Sequence, residues 1–106
     1  MRMRPAFYST VAEAVQGLNQ RGFSCNLELI GELLKDVESG RTFPAQELTI
    51  VEHHRFEGAS DPDDMAVVYG IESNDGIRGV LVDAYGVYAN PRVSEFLKTV
   101  KIREEL

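Results

Sequence analysis

Cysteine and basic residues are scarce in this sequence, and both shortages limit what the chain is able to do. The one cysteine, Cys25, cannot form a disulfide within the chain, and alone it cannot support a cysteine-rich zinc site. Only 11 lysines and arginines stand against 17 acidic residues, which gives a net charge of −6 at pH 7. Because a nucleic-acid partner requires a basic surface that neutralises phosphates, this charge balance predicts no nucleic-acid binding.

Long apolar runs are absent as well. No stretch approaches the roughly 18 apolar residues of a membrane-spanning helix. The basic start, residues 1–5, is not followed by the apolar segment of about 7–15 residues that a signal peptide requires. With the lone thiol, these absences predict a cytoplasmic protein without a membrane partner. We also find no repeat, low-complexity tract or linker, so residues 1–106 are predicted to form a single domain.

Two α-helices are predicted, one near each end of the chain. Thr10 and Glu13 have the spacing of a capping box, and Gly22 is suited to the left-handed position that ends a helix. Asn90 and Pro91 predict the start of the second helix. The apolar stripes are Val11, Ala14, Val15 and Leu18 in the first helix and Val93, Phe96, Leu97 and Val100 in the second. The cations predicted at the negative end of the second helix dipole are Lys98, Lys101 and Arg103.

Alternating apolar and polar residues predict strands in the rest of the chain. Residues 23–29 show this alternation clearly. Residues 49–56 are predicted as a polar strand near a sheet edge. Their neighbours His53 and His54 point to opposite faces of that strand, so they cannot ligate one metal ion together. Within residues 31–48 the apolar residues do not distinguish a short strand from a helical turn. Ser39-Gly40 predicts a turn there, and residues 44–47 predict one helical turn that begins at a proline.

A β-hairpin is the clearest local signal. Residues 66–73 and 77–85 are rich in β-forming residues and flank Asn-Asp-Gly at residues 74–76, a strong turn sequence. If the last two of these are the central turn residues, one face of the hairpin is wholly apolar. A slip by one residue would place Asp83 opposite Val67 and end that separation. The predicted register pairs Ile71 with Val80, Tyr69 with Val82 and Val67 with Ala84.

The order of the elements, helix, strands and helix, predicts the fold class. We expect an α+β fold in a single two-layer domain. Its antiparallel sheet would have about four strands, with the N-terminal and the C-terminal helix packed on one face. The apolar face of the hairpin would then lie beneath both helices.

The other face of the predicted hairpin is a candidate ligand site. Glu72 and Asp83 lie there beside Gly70 and Gly79, which would leave room for a ligand or for a closely packed aromatic ring. Two carboxylates on one face support acid–base chemistry if burial separates their pKa values. The alternative is the solvated side of a half-exposed sheet, which open antiparallel sheets commonly have.

An acidic segment, residues 55–64, is the second candidate. Its carboxylates are of the type that binds Ca²⁺ or Mg²⁺, but Ala66 takes the place of the glycine that an EF-hand loop needs. A polar strand connection is therefore favoured over a metal site, and catalytic residues and cofactors are left open. The residues predicted to bind a ligand are Glu57, Asp61, Asp63, Asp64, Glu72, Asp83 and Tyr85.

Four pieces of the sequence between residues 55 and 88 carry a family resemblance. They are Arg55-Phe56-Glu57-Gly58, Ser60-Asp61-Pro62-x-Asp64, the Asp75-Gly76 turn and Gly79-Val80-Leu81-Val82-Asp83-Ala84-Tyr85-Gly86-Val87-Tyr88. They resemble a family of small uncharacterised bacterial proteins of about this length, which often carry the automatic label phosphoribosylpyrophosphate synthetase. The resemblance implies a phosphorylated metabolite as ligand. In a phosphoribosyl-pyrophosphate loop, a second acid and a Thr-Gly turn would follow Asp83, whereas Ala84 and Tyr85 follow here.

Two functions are therefore expected from the sequence. The leading hypothesis is a non-enzymatic module that binds a partner, quite naturally a second copy of itself, because residues 49–56 form a polar strand near an edge. The alternative is a small-ligand or divalent-metal-dependent enzyme acting on a phosphorylated metabolite. Whether the chain is an enzyme is left open at this point.

Overall fold

Strands predominate in the architecture of this chain. The computed structural model describes residues 10–56, 66–84 and 91–103. In chain order the elements of these ranges are α1 (Val11–Gln20), β1 (Cys25–Ile30), β2 (Leu33–Asp36), β3 (Thr42–Pro44), a 3₁₀ helix (Ala45–Glu47), β4 (Leu48–Phe56), β5 (Ala66–Ser73), β6 (Arg78–Ala84), α2 (Pro91–Lys98) and β7 (Lys101–Ile102). Neither helix in these ranges has the length and apolar content needed to cross a membrane.

The strands form one mixed sheet that curls into a half-barrel, in the order β3-β2-β1-β6-β5-β4-β7. The pairs β1–β6 and β4–β7 are parallel, and the other neighbouring pairs are antiparallel. The predicted antiparallel sheet of about four strands, with both helices on one face, is therefore wrong. Its error has a physical source, because parallel pairing joins segments that are distant in sequence and leaves no local pattern.

Helix α1 begins and ends at the predicted signals. Thr10 Oγ1 accepts a hydrogen bond from the Glu13 backbone N–H at 3.1 Å. At the other end Gly22 has a φ of +105°, and the Phe23 N–H donates to the Leu18 carbonyl at 2.9 Å. This is the Schellman arrangement, in which the residue after the glycine also packs on the helix. Phe23 and Leu18 accordingly belong to one buried cluster.

The two helices cover opposite faces of the sheet. Neighbouring residues of a strand point to opposite faces, and in β6 Val80 packs under α1 whereas Leu81 packs under α2. We call these the α1 face and the α2 face. The buried cluster of the α1 face is Ala14, Leu18, Phe23, Val51, Val68 and Val80. The buried cluster of the α2 face is Leu34, Phe43, Leu48, Ile50, Ile71, Leu81, Val93, Phe96, Leu97 and Val100.

Strand β4 contains a bulge between Ile50 and Glu52. Val51 belongs to the α1-face cluster, and Glu52 also points to that face, where its Cγ would lie 3.3 Å from a Cβ added to Gly70. Two consecutive residues thus share one face, which a regular strand does not allow. The extra residue returns His53 to the α2 face, the same face as Ile50.

The predicted hairpin is present, but its register is wrong by one residue. Tyr69 lies opposite Leu81, and Val67 lies opposite Asp83. The connection is a three-residue loop: the Ser73 N–H donates to the Ile77 carbonyl at 2.8 Å. The loop ends in a glycine at residue 76 with a φ of +89°, as three-residue hairpin loops require. The longer loop shifts every pair by one residue, so the wholly apolar face does not form.

Residues 31–48 form a second, smaller hairpin from β2 and β3. The Asp36 carboxylate builds its turn by accepting hydrogen bonds from the Glu38 N–H at 3.1 Å and the Ser39 hydroxyl at 2.8 Å. Gly40 completes the turn with a φ of +80°. The turn predicted at residues 39–40 and the helical turn predicted near residues 44–47 are confirmed.

The second helix is shorter than its charge pattern predicts. It ends at Lys98, so Lys101 and Arg103 are not helix-end cations. Lys101 instead begins β7, which pairs in parallel with Thr49 and Ile50. This places the end of the described chain beside β4 and creates one wall of the cleft described below.

Candidate binding cleft

Most of the predicted site residues fall outside the part of the chain that the structure describes. These are Glu57, Asp61, Asp63, Asp64 and Tyr85. Glu72 and Asp83 are described, but they are not brought together: Glu72 lies opposite Arg78 on the α1 face, and Asp83 lies opposite Val67 on the α2 face. Their positions are also separated by roughly 17 Å along the hairpin. They cannot act as a pair on one ligand, and their separate binding roles stay predictions.

The space beside the two predicted glycines is filled by neighbouring side chains. A Cβ on Gly70 would lie 3.2 Å from the Phe23 ring and 3.3 Å from the Leu18 side chain. A Cβ on Gly79 would lie 2.8 Å from the Leu27 side chain. The close aromatic packing named as the alternative to a ligand is therefore confirmed at Gly70.

Glu72 is held in place by two arginines. Arg103 Nη2 donates to Oε1 at 2.7 Å, and Arg78 Nε donates to Oε2 at 3.3 Å. The hydrogen bond from Arg103 lowers the pKa of Glu72, burial opposes this, and Arg78 lowers it further. An ionised carboxylate whose two oxygens are both engaged is suited to anchor structure, and it is poorly suited to exchange protons near neutral pH.

A second anchored carboxylate lies beneath α1, where the Glu52 side chain is only 4% exposed. His54 Nε2 donates to Glu52 Oε2 at 2.7 Å, and the guanidinium of Arg21 donates to the same oxygen. Burial raises the pKa of Glu52, but the hydrogen bonds from His54 and Arg21 and the charge of Arg21 outweigh it and lower the pKa to about 2. Glu52 thus ties the end of α1 to β4 as an ionised group.

The α2 face contains an open cleft of about 410 Å³ between β4, β5, α2 and β7. The bulge in β4 returns His53 and Arg55 to this face, where they lie opposite Tyr69 and Val67 of β5. Helix α2 and strand β7 supply the remaining walls. The lining residues are Ile50, His53, Arg55, Val67, Tyr69, Ser94, Leu97, Lys98 and Ile102.

The floor of this cleft is aromatic and apolar. His53 and Tyr69 are neighbours across β4 and β5, with ring centroids 6.2 Å apart and an angle of 30° between the ring planes. Ile50, Val67 and Leu97 add aliphatic surface around them. Such a floor binds the apolar body of a small molecule by removing it from water.

The rim of the cleft is basic. Arg55 comes from β4 and Lys98 from the last turn of α2, and both are exposed. The His53 ring adds a third nitrogen-bearing group. Burial, and then the negative charge of Asp83, raise the pKa of Tyr69, so its hydroxyl is protonated at neutral pH and able to donate a hydrogen bond. This arrangement suits an anion that carries an apolar body.

A larger cleft of about 780 Å³ lies on the other side of α2, against the β1–β2 turn and the 3₁₀ helix. Its polar lining mixes both signs of charge, with Glu32 and Glu95 beside Arg92 and Gln46. All four of these residues are exposed. It therefore shows no preference for a ligand of one charge, in contrast to the basic rim of the smaller cleft.

The described residues also bear on three simpler points from the sequence, namely the histidine pair, a metal site and the lone cysteine. His53 and His54 do point to opposite faces, as predicted, since His54 contacts Glu52 on the α1 face. Within residues 10–56, 66–84 and 91–103, no group of three or more metal-ligating side chains is placed to hold an ion. Burial, and then the neighbouring Asp36, raise the pKa of the Cys25 thiol, which makes it less reactive.

The cleft was not predicted from the sequence. Alternation along β4 places His53 and Arg55 on one face, and this was the available signal. Joining them to Tyr69 required the correct hairpin register, and joining them to Lys98 required the position of α2. Neither relation is encoded in local spacing.

Comparisons with protein-family models, with curated proteins and with solved structures find no match to this chain. The resemblance of residues 55–88 to a bacterial family therefore stays a prediction. Function is accordingly inferred from the chemistry of the cleft and from the anchored carboxylates around it.

Proposed function

We propose that this chain is a non-enzymatic binding module whose ligand is a small organic anion with an apolar or aromatic body. One observation carries the proposal: His53, Arg55 and Lys98 converge from two elements on an aromatic and apolar floor. In a chain with a net charge of −6, long-range electrostatics repel anions, so a local basic cluster is needed to hold one. A cleft of about 410 Å³ falls within the usual size range of small-molecule sites.

Binding without catalysis is supported by the state of the carboxylates. Glu52 and Glu72 are both paired with arginine, and their lowered pKa values keep them ionised near neutral pH. General acid–base catalysis works best when a pKa lies near the operating pH. The charged network of this sheet therefore favours a rigid scaffold over proton transfer.

The ligand would be recognised at two ends. Its anionic group would receive charge-assisted hydrogen bonds from Arg55 and Lys98, which are stronger than hydrogen bonds between neutral groups. Lys98 is available for this role because its ion pair with Glu95, 3.5 Å long, is largely exposed and weak. The apolar body would lie over the rings of His53 and Tyr69.

Titration calorimetry with 2-naphthoate tests this proposal, with the uncharged 2-naphthamide as the matched ligand. We expect 2-naphthoate to bind and to bind more weakly as salt is added, because salt screens exposed charges. Arg55→Gln and Lys98→Gln should each weaken binding by about tenfold. Lys101→Gln is the matched control, since Lys101 is an exposed cation beside the cleft that does not line it.

Two results would contradict the proposal. One is equal binding of the charged and the uncharged ligand, and the other is an equal effect of Lys101→Gln and Lys98→Gln. Phosphoribosyl pyrophosphate with Mg²⁺ is titrated in parallel, because it tests the alternative function, a metal-dependent enzyme acting on a phosphorylated metabolite. That alternative would use Asp61, Asp63, Asp64, Glu72 and Asp83.

Self-association and a cytoplasmic location belong to the same proposal. Over the described part of the chain, β7 pairs only with Thr49 and Ile50, which leaves the rest of β4 near the edge of the sheet. The lone thiol of Cys25 suits a reducing compartment. Light scattering after size-exclusion chromatography measures the first point, and a monomeric mass at high concentration would contradict it.

A further inference from the structure

One wall of the cleft is a very short strand. Ile102 of β7 lines the cleft, yet it is 68% exposed, so few neighbours hold it from outside. In the described residues β7 contributes only two pairs, Lys101 with Thr49 and Ile102 with Ile50. A strand of two residues makes few ladder hydrogen bonds, so its position depends on the contacts at its ends.

Arg103 supplies such a contact directly after β7. Its backbone N–H donates to the Ile50 carbonyl at 2.7 Å, which extends the parallel pairing by one hydrogen bond. Its guanidinium reaches Glu72 on the α1 face, with Nη2 to Oε1 at 2.7 Å. Glu72 of β5 lies opposite Thr49 of β4, so the Arg103 side chain passes over β4 to reach it. Arg103 therefore binds the sheet on the α1 face, which is opposite the cleft.

The Glu72 carboxylate is oriented for this role by its other partner. Arg78, opposite Glu72 on β6, donates to Oε2 and leaves Oε1 directed to Arg103. Glu72 belongs to the regular hairpin, whereas Arg103 belongs to the chain that follows a two-residue strand. The ion pair therefore connects a strand with only two described pairs to a hairpin with seven.

We infer that Glu72 is a positioning residue for the cleft: through Arg103 it fixes β7, so that Ile102 closes one side of the ligand site. This inference rests on the proposed function. It gives Glu72 a part in ligand binding without contact with the ligand. The sequence predicts that Glu72 binds a ligand directly, but Glu72 lies on the α1 face, away from the cleft, so an indirect role is the one that fits.

A double-mutant cycle with 2-naphthoate tests the inference. Glu72→Gln and Arg103→Gln should each weaken binding by about two- to fivefold, the range expected for a partly exposed ion pair. The double variant should be no weaker than Arg103→Gln alone, because Glu72 acts through Arg103. Lys101→Gln is the matched control, since it removes an exposed cation from β7 itself, leaves the Glu72–Arg103 pair in place and should change affinity by less than about twofold.

Amide hydrogen exchange gives a second measurement that needs no ligand. The N–H of residue 103, which donates to Ile50, should exchange faster in Glu72→Gln than in the wild type, while hairpin amides such as that of Ser73 stay protected. A merely destabilising substitution would speed up both.

The outcomes separate the two proposals. If the wild type does not bind 2-naphthoate, the proposed function fails, and exchange at residue 103 still tests the anchor. If binding depends on Arg55 but Glu72→Gln leaves it unchanged, only the positioning role is overturned. Additive effects in the double variant would also overturn it, because Glu72 would then act by a route other than Arg103.

Discussion

Removing the buried charge of Glu52 is expected to lower the free energy of unfolding by about 3 kcal/mol at pH 7. The side chain is 4% exposed and receives hydrogen bonds from His54 and Arg21. Its pKa is lowered from 4.5 to about 2, which corresponds to about 3 kcal/mol at about 1.4 kcal/mol for each pH unit. Glu52→Gln keeps the shape of the side chain and removes this interaction. The magnitude agrees with the roughly 3–5 kcal/mol found when one partner of a buried ion pair is removed.

The same carboxylate predicts how stability depends on pH. Its pKa is lower in the folded state than in the unfolded state, so its contribution is fully present above about pH 4.5 and is lost as the pH falls towards 2. The pKa values of Asp36 and Glu72 are also lowered, so the wild type loses stability in acid for several reasons. The difference between the wild type and Glu52→Gln isolates the part that belongs to Glu52.

Urea unfolding followed by circular dichroism, at several pH values between 7 and 2.5, measures this difference. Glu28→Gln is the control, because Glu28 is an exposed carboxylate on β1. We expect the wild-type and Glu52→Gln curves to approach each other below pH 4.5 and the control to follow the wild type throughout. A difference of less than about 1 kcal/mol at pH 7, or a constant difference across the pH range, would refute the reasoning.

Two further substitutions test the packing of the sheet. Gly79→Ala should destabilise the fold by about 1–3 kcal/mol, because the added Cβ would lie 2.8 Å from the Leu27 side chain and 2.9 Å from the backbone oxygen of Cys25. Unchanged urea unfolding of this variant would contradict the prediction and show that β1 and β6 separate easily. Asp36→Ala should cost about 1 kcal/mol or more, because it removes the acceptor of the β2–β3 turn, including the bond from the Ser39 hydroxyl at 2.8 Å. Faster amide exchange confined to residues 33–44 would confirm that loss, and uniform exchange would contradict it.

Local signals in the sequence predicted the helix ends correctly. The Thr10 cap and the glycine at residue 22 each act through hydrogen bonds to residues three to five positions away. Such contacts are visible in a short window of sequence. The same is true of the turn at residue 40 and of the alternation in β1. These parts of the fold could therefore be predicted from the sequence alone.

The hairpin register shows where local signals become ambiguous. Asn-Asp-Gly is compatible with a two-residue turn and with a three-residue loop, and Gly76 has a positive φ in both. The separation of apolar from polar residues favoured the two-residue turn, but the chain forms the three-residue loop. Asp83 is accommodated opposite Val67 on the α2 face although that position is largely buried. One residue of difference in the loop then separated the two carboxylates of the predicted site.

Sheet order and the cleft depended on relations that no short window contains. The parallel pairing of β1 with β6 rests on two described pairs, Cys25 with Gly79 and Asn26 with Val80. Strand β7 is two residues long, and its charges resembled those of a helix end. Because the cleft joins β4, β5, α2 and β7, its composition followed only from these long-range contacts.

The bulge in β4 decides which face of the sheet carries the basic groups of the cleft. Val51 and Glu52 share the α1 face because one residue is inserted there. If the strand held the same residues without a bulge, regular alternation would turn every side chain after Val51 to the other face, and His53 and Arg55 would lie under α1. Deleting the codon of Val51 would instead leave both groups in place, because the residues on either side of it already pair with neighbouring residues of β5. Loss of one residue at the bulge would thus preserve recognition, whereas loss of the residue between His53 and Arg55 would move Arg55 out of the cleft.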